Sequence, residues 1–199
     1  MSEICLDSPG EALIPLSWMK NYLKVDHDAD DSLINQLMIS AQLMIENYAG
    51  ISFTQKKWQH THNQESGRSR QANPWKDARY SGPFSLRISP VVAIVSVTSQ
   101  TITDDWVCEG WKTRTNGYKT EVYIPRQHIM QAMRIIIKYT AGYARIEEVP
   151  TLYKDAICML VQRYYQRRES PDPALGHMAG LPSDICTFLH ISQARGWLS

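Results

Sequence analysis

The sequence predicts an α+β fold: a small helical bundle of two long and two short helices carrying an inserted, mostly antiparallel β-sheet. Three observations predict it. An amphipathic helical period runs through residues 31–50. The period shortens to two in the runs between 53 and 143, and the helical period returns at 152.

The first helical stretch organises the rest. Residues 26–31 bring together Asp26, His27, Asp28, Asp30 and Asp31. Leu33, Ile34, Leu37, Met38, Ala41, Met44, Ile45 and Tyr48 then recur at 3-4 spacing, which makes one broad apolar face. Asp30 or Asp31 can cap the helix, and carboxylates there complement its positive end. Gly50 is placed to end it in a left-handed conformation. The acidic run lacks the central glycine and closing glutamate of an EF-hand, so helix capping explains it better than calcium. Upstream, Ser17 is placed to cap a short helix ending at Leu23, with Trp18, Met19, Tyr22 and Leu23 on its apolar side. Residues 1–15 read as a flexible tail.

The period changes after Gly50. Residues 53–62 are strand-like, with Trp58, His60 and His62 on one side. A His-x-His pair on a strand can bind metal, but no third ligand is evident, and a wet sheet face accounts for the pair. Residues 63–82 have almost no aliphatic side chains and read as a long mobile loop. Its Arg68, Arg70, Lys76 and Arg79 alternate with Trp75 and Tyr80, a composition able to touch nucleic acid. Further strands are predicted at 86–89, 91–98, 106–112, 120–124 and 133–140, with a hairpin turn at Asn116-Gly117.

A second long helix is predicted over 151–168, with Arg163, Arg167 and Arg168 suited to its negative end. Residues 170–180 form a linker. Residues 181–199 form a short docking helix and tail whose Ile185, Phe188, Leu189, Trp197 and Leu198 exceed what a short helix buries on itself. The expected body spans 16–169.

The chain has 199 residues, 43% of them hydrophobic, which suits one domain or one domain with an insertion. The first residues lack the basic start and apolar run of a signal peptide, and no run is long enough to span a membrane. Cys5, Cys108, Cys158 and Cys186 form no CxxC pair and read as reduced thiols. Net charge is +1, but its distribution is uneven. Residues 1–50 carry eight acids against Lys20 and Lys24, whereas 51–80 carry six basic residues against Glu65 and Asp77. Such asymmetry lets copies meet acidic side to basic side.

Four markers, in order, make the chain similar to a known family. The first is Leu23-Lys24-Val25-Asp26-His27-Asp28 with Asp30-Asp31 and a helix closing Tyr48-Ala49-Gly50. The second is Ile88-Ser89-Pro90-Val91-Val92 with Val95-Ser96-Val97. The third is Tyr139-Thr140-Ala141-Gly142-Tyr143, followed by Val149-Pro150 and Tyr164-Tyr165-Gln166-Arg167-Arg168-Glu169. The fourth is Leu181-Pro182 before a short apolar helix. Together they resemble the head–tail connector (adaptor, head-completion) proteins of tailed double-stranded DNA phages and prophages, in the longer variant with an inserted β-sheet.

The resemblance implies a structural virion protein with no catalysis and no cofactor. It implies a ring of about twelve identical copies under the portal protein, extending the DNA channel and giving a platform to the next neck or tail-completion protein. The implied location is the head–tail junction of the virion, reached from the host cytoplasm during assembly, with transient non-specific contact to double-stranded DNA and none to membrane. Leu37, Met38, Met44, Arg163 and Arg167 are candidates for contacts between subunits. Ile185, Phe188, Leu189 and Trp197 are candidates for portal docking, and Arg68, Arg70, Lys76 and Arg79 for DNA contact. The rival class is a nucleic-acid-binding accessory to DNA packaging, built on the same basic residues; the near-zero net charge argues against it. An enzyme is not indicated, since no phosphate loop, nucleophile elbow or metal-ligand spacing is present.

Overall fold

The computed structural model describes residues 2–7, 12–63, 79–117, 119–130, 132–167 and 181–195. The chain divides into two units, one of residues 1–8 and 54–143, the other of residues 9–53 and 144–199.

The described residues of the first unit are strands, their connections and one 3-10 turn, Arg126–His128. Its strands are β1 (Ser2–Cys5), β2 (Lys56–Asn63), β3 (Tyr80–Leu86), β4 (Val91–Gln100), β5 (Asp105–Val107), β6 (Lys112–Asn116), β7 (Lys119–Pro125) and β8 (Arg134–Ala141). They form a five-stranded sheet ordered β1-β2-β8-β4-β5 and a three-stranded sheet ordered β3-β7-β6. Every pairing is antiparallel. β8 is central, and its alternation sends Ile135, Ile137, Tyr139 and Ala141 inward. Phe84, Leu86, Val122 and Ile124 of the smaller sheet join the same core.

This differs in three ways from the sequence expectation. The start of the chain is a strand where a loose tail was expected: β1 pairs with β2, Ser2 opposite Thr61 and Cys5 opposite Trp58. The side of β2 that carries Trp58 and His60 is core rather than wet, because it meets the interior filled by the second sheet. Among the described residues the strands number eight in two sheets, and β3 begins at Tyr80 despite its Gly82-Pro83 pair. A bulge between Ser81 and Phe84 absorbs that pair. Gly82 there has φ +138, a conformation open to glycine. The hairpin at Asn116-Gly117 is present one residue later than expected. Asn116 still pairs with Lys119, and Gly117, at φ +58, opens the loop.

The second unit is helical: α1 (Leu16–Leu23), α2 (Asp31–Ala49), α3 (Thr151–Arg167) and α4 (Ser183–Arg195). α2 and α3 pack together, α1 meets both, and α4 packs on α3. The 3-4 pattern of α2 buries Ile34, Met38, Ala41 and Ile45; from α3, Ala156, Ile157, Leu160 and Val161 are buried. Each large side chain among these contributes about 1.5–3 kcal/mol before entropy. Phe53, expected to open a strand, is fully buried in this unit and packs on Tyr153 at 5.6 Å. Its N–H donates to the buried carboxylate of Glu46 at 2.7 Å, and the N–H of Leu13 donates to buried Gln42 at 2.9 Å. These two α2 side chains therefore pin the segment before α1 and the segment after α2.

The acids expected as caps do other work. Neither Ser17 nor Asp30 caps with its side chain. Instead Lys20 of α1 reaches Asp28 and, at 2.7 Å, Asp31, while the Tyr165 hydroxyl donates to Asp30 at 2.6 Å. The acidic run ties α1 and α3 to the start of α2. Gly50 does end α2 in the left-handed region, at φ +66.

Burial pushes the Cys158 thiol of α3 up to about 11, with Asp155 adding to the effect. A group raised above its ordinary value contributes stability below pH 9 that is lost as pH rises toward 11. We therefore expect thermal melts to fall across that window, with a shallower slope in Cys158→Ala; equal slopes would contradict this.

Candidate functional site

The residues predicted to meet other molecules are distributed over both units. Leu37 and Met44 are half-buried on α2, while Met38 is in the core. Met44 accepts a hydrogen bond at sulfur from the Tyr164 hydroxyl at 3.3 Å. Arg163 is already engaged: its Nη1 reaches both oxygens of Asp184 on α4, at 2.7 and 3.0 Å. That pair holds the Asp184 carboxyl below the usual carboxylate range. Arg167 closes α3, but its side chain lies outside the described residues, as do Trp197, Arg68, Arg70 and Lys76. On α4, Ile185 and Leu189 are buried in the chain's own helical unit and Phe188 is half-buried.

Further exposed apolar side chains lie outside the interface candidates, and of these the sequence places Trp18 and Tyr22 on the apolar side of the first short helix. In the helical unit Trp18 and Tyr22 stack at 5.7 Å and are 49% and 39% exposed; Met159 is also exposed. In the β unit Ile102, Met130, Met133, Trp106 and Val107 are all more than half exposed. Met133 N–H donates to the Gln100 carbonyl at 2.8 Å, and Ile102 follows in the loop from β4 to β5, so much of this apolar surface lies at one sheet end. Exposed Trp and Met at this density are a feature of protein interfaces.

Arg79 lines a cavity of about 330 Å³ together with Tyr80, Pro125, Arg126 and Gln127. The backbone builds it: Tyr80 pairs with Pro125 across β3 and β7, and the Arg126 N–H donates to the Arg79 carbonyl at 2.8 Å. Lys112 Nζ lies 4.6 Å from the centre of the Tyr80 ring. Arg126 and Lys112 were not among the sequence candidates. They are 47 and 33 residues from Arg79, and only the strand pairing brings them near it.

His60 Nδ1 hydrogen-bonds Glu3 at 2.8 Å, and the His62 ring meets Phe84 edge-on. Burial pulls His62 below the usual histidine range. Among the described residues no three His, Cys, Asp or Glu side chains converge as a metal site, and all four cysteines are free. No helix among them is long and apolar enough to cross a membrane.

The described residues make an α+β protein: a helical bundle in one unit and two antiparallel sheets in the other, with exposed apolar side chains in both. Residues 12–175 match the head completion protein family, and the chain belongs to that family. Among solved structures it is similar to a chain in the neck of an empty gene transfer agent (GTA) particle computed with C6 symmetry. That likeness has 14% identity, a TM-score of 0.64, and covers 96% of this chain and 94% of that one. A chain in the virion of a native gene transfer agent particle is similar at 16% identity and TM-score 0.64, with 96% and 94% covered. A third, in the neck of a native particle computed with C12 symmetry, gives 15% and 0.61, with 96% and 93% covered. At these identities the likeness shows the fold. No curated protein matches the chain.

Proposed function

We propose that this head completion protein forms a ring of identical copies in the neck of a phage-like particle. The ring sits under the portal protein, extends the DNA channel and presents a platform to the next neck or tail-completion protein. Family membership over residues 12–175 carries this reading. The fold likeness to chains of particles whose necks were computed with six- and twelvefold symmetry supports it. So does the exposed apolar surface in both units. A ring contact is heterologous, so each copy must offer two different faces. The stacked Trp18–Tyr22 pair and the Ile102, Trp106 and Met133 surface are two such faces, alongside Leu37 and Met44 on α2. α4 carries three of the portal-docking candidates, Ile185, Phe188 and Leu189. With Ile185 and Leu189 buried at home, portal contact falls to Phe188 and to residues beyond Arg195.

Electron microscopy of the full chain mixed with its portal protein tests the reading. A closed ring added below the portal is expected. A chain that stays a single copy and never joins the portal at any concentration would sink it. Trp18→Asp is expected to block ring closure while leaving the melting temperature within a few degrees, because the side chain is half exposed.

A further inference from the structure

We infer that the basic strip around the Arg79–Arg126 cavity is a contact surface for the phosphate backbone of duplex DNA. The inference rests on the neck reading and gives it a specific site. Arg79 and Arg126 line one cavity with Gln127 and Tyr80. Lys112, over the Tyr80 ring, extends the charge onto β6. Arg114 follows two residues later on the same side of that edge strand, about 7 Å along. All five residues of β6 are exposed: Lys112, Thr113, Arg114, Thr115 and Asn116. They are polar or basic, with no apolar side chain that would suit a protein partner.

Among the described residues the acid paired with the strip is Glu121, across from Arg114. Its carboxylate is occupied: the Tyr123 hydroxyl donates to it at 2.8 Å and Lys119 lies at 3.3 Å. The strip therefore keeps a positive balance. Guanidinium forks suit phosphate oxygens, and an amide such as Asn116, on the same side of the strand as Lys112 and Arg114, commonly meets the same backbone. A contact made to phosphates alone is sequence-independent. A few cations per copy hold DNA weakly, which leaves it free to move, while repetition around a ring multiplies the contact.

The test is fluorescence anisotropy of a labelled duplex with the full chain, titrated from about 50 to about 200 mM salt. Wild type is expected to bind weakly, with log affinity falling by about 0.9 per decade of salt for each phosphate met. Arg79→Gln with Arg126→Gln should lower that slope by about two and weaken binding about tenfold or more at the lowest salt. Lys112→Gln with Arg114→Gln should act similarly. Arg145→Gln, exposed in the helical unit, should change neither. Equal binding by wild type and the double variants overturns the assignment, as does an equal loss in Arg145→Gln. Preferential capture of an acidic peptide over DNA also overturns it. Ring formation on the portal, measured for the same variants, reports separately: variants that join the portal normally while losing the DNA slope support the strip. If wild type joins the portal yet shows no DNA affinity at the lowest salt, the strip is refuted while the neck reading stands.

Discussion

Gly142→Ala is expected to prevent the β unit from folding, with loss of soluble protein at 37 °C or a fall in stability of about 4 kcal/mol or more. Two independent causes act at this position. Gly142 has φ +130, where L side chains are strained by about 1–3 kcal/mol. A Cβ there would lie 2.1 Å from the Thr54 carbonyl oxygen and 2.8 Å from the Gln55 nitrogen. Both are backbone atoms, so no rotamer change relieves the clash. The neighbourhood is also fixed: Gly142 N–H donates to the Pro90 carbonyl at 2.9 Å, and the adjacent Ala141 pairs with Lys56 on one side and Val91 on the other. Gly117→Ala is the control. It has a positive φ of 58 but nothing within 4 Å of a built Cβ, so its cost should stay near 1–2 kcal/mol. Thermal and urea melts of the two variants decide the matter. A Gly142→Ala protein that melts with Gly117→Ala would mean that the strand ends can separate without harm.

The helices were legible because each carries its own period. Ile34, Met38, Ala41 and Ile45 announce α2 from one stretch of sequence, and Gly50 announces its end. What stayed hidden depends on partners distant in sequence. Ser2-Glu3-Ile4-Cys5 is too short to read as a strand until β2 lies beside it. Tyr80-Ser81-Gly82-Pro83 reads as loop because propensity rules cannot know that a bulge against β7 will receive it. The His60 side of β2 looks wet from composition, yet Glu3 supplies a carboxylate from 57 positions away. Of the site candidates, Arg79 carried a local signal, in a run of basic and aromatic residues. Arg126 and Lys112 acquire meaning only through the β3-β7-β6 order. Arg163 shows the reverse: a basic residue near a helix end looks available, but Asp184 on α4 already holds it.

Glu3→Leu is expected to destabilise the β unit by about 3–5 kcal/mol, the second largest effect of a single change. The carboxylate is the shared acceptor of three donors. His60 Nδ1 lies 2.8 Å from one oxygen, which the Arg87 N–H also reaches at 3.1 Å, and the Tyr139 hydroxyl donates to the other at 2.9 Å. A carboxylate accepts only, so the proton between Glu3 and His60 sits on the histidine. His60 and Tyr139 are buried, and Tyr139 sits on the central strand. Removing the carboxylate takes their acceptor from two buried side chains, and it frees the edge strand that Glu3 ties down. Burial first, then the Glu3 charge, pushes the Tyr139 hydroxyl well above its ordinary value of 10. The neutral form is the folded one, so its contribution is complete below pH 10 and declines above it. A double-mutant cycle separates bonding from bulk: Glu3→Leu should cost less in a Tyr139→Phe background, because one orphaned donor is gone. Full additivity in that cycle, or a Glu3→Leu protein with wild-type stability, would show that β1 is held by its backbone ladder alone and that the buried carboxylate contributes nothing.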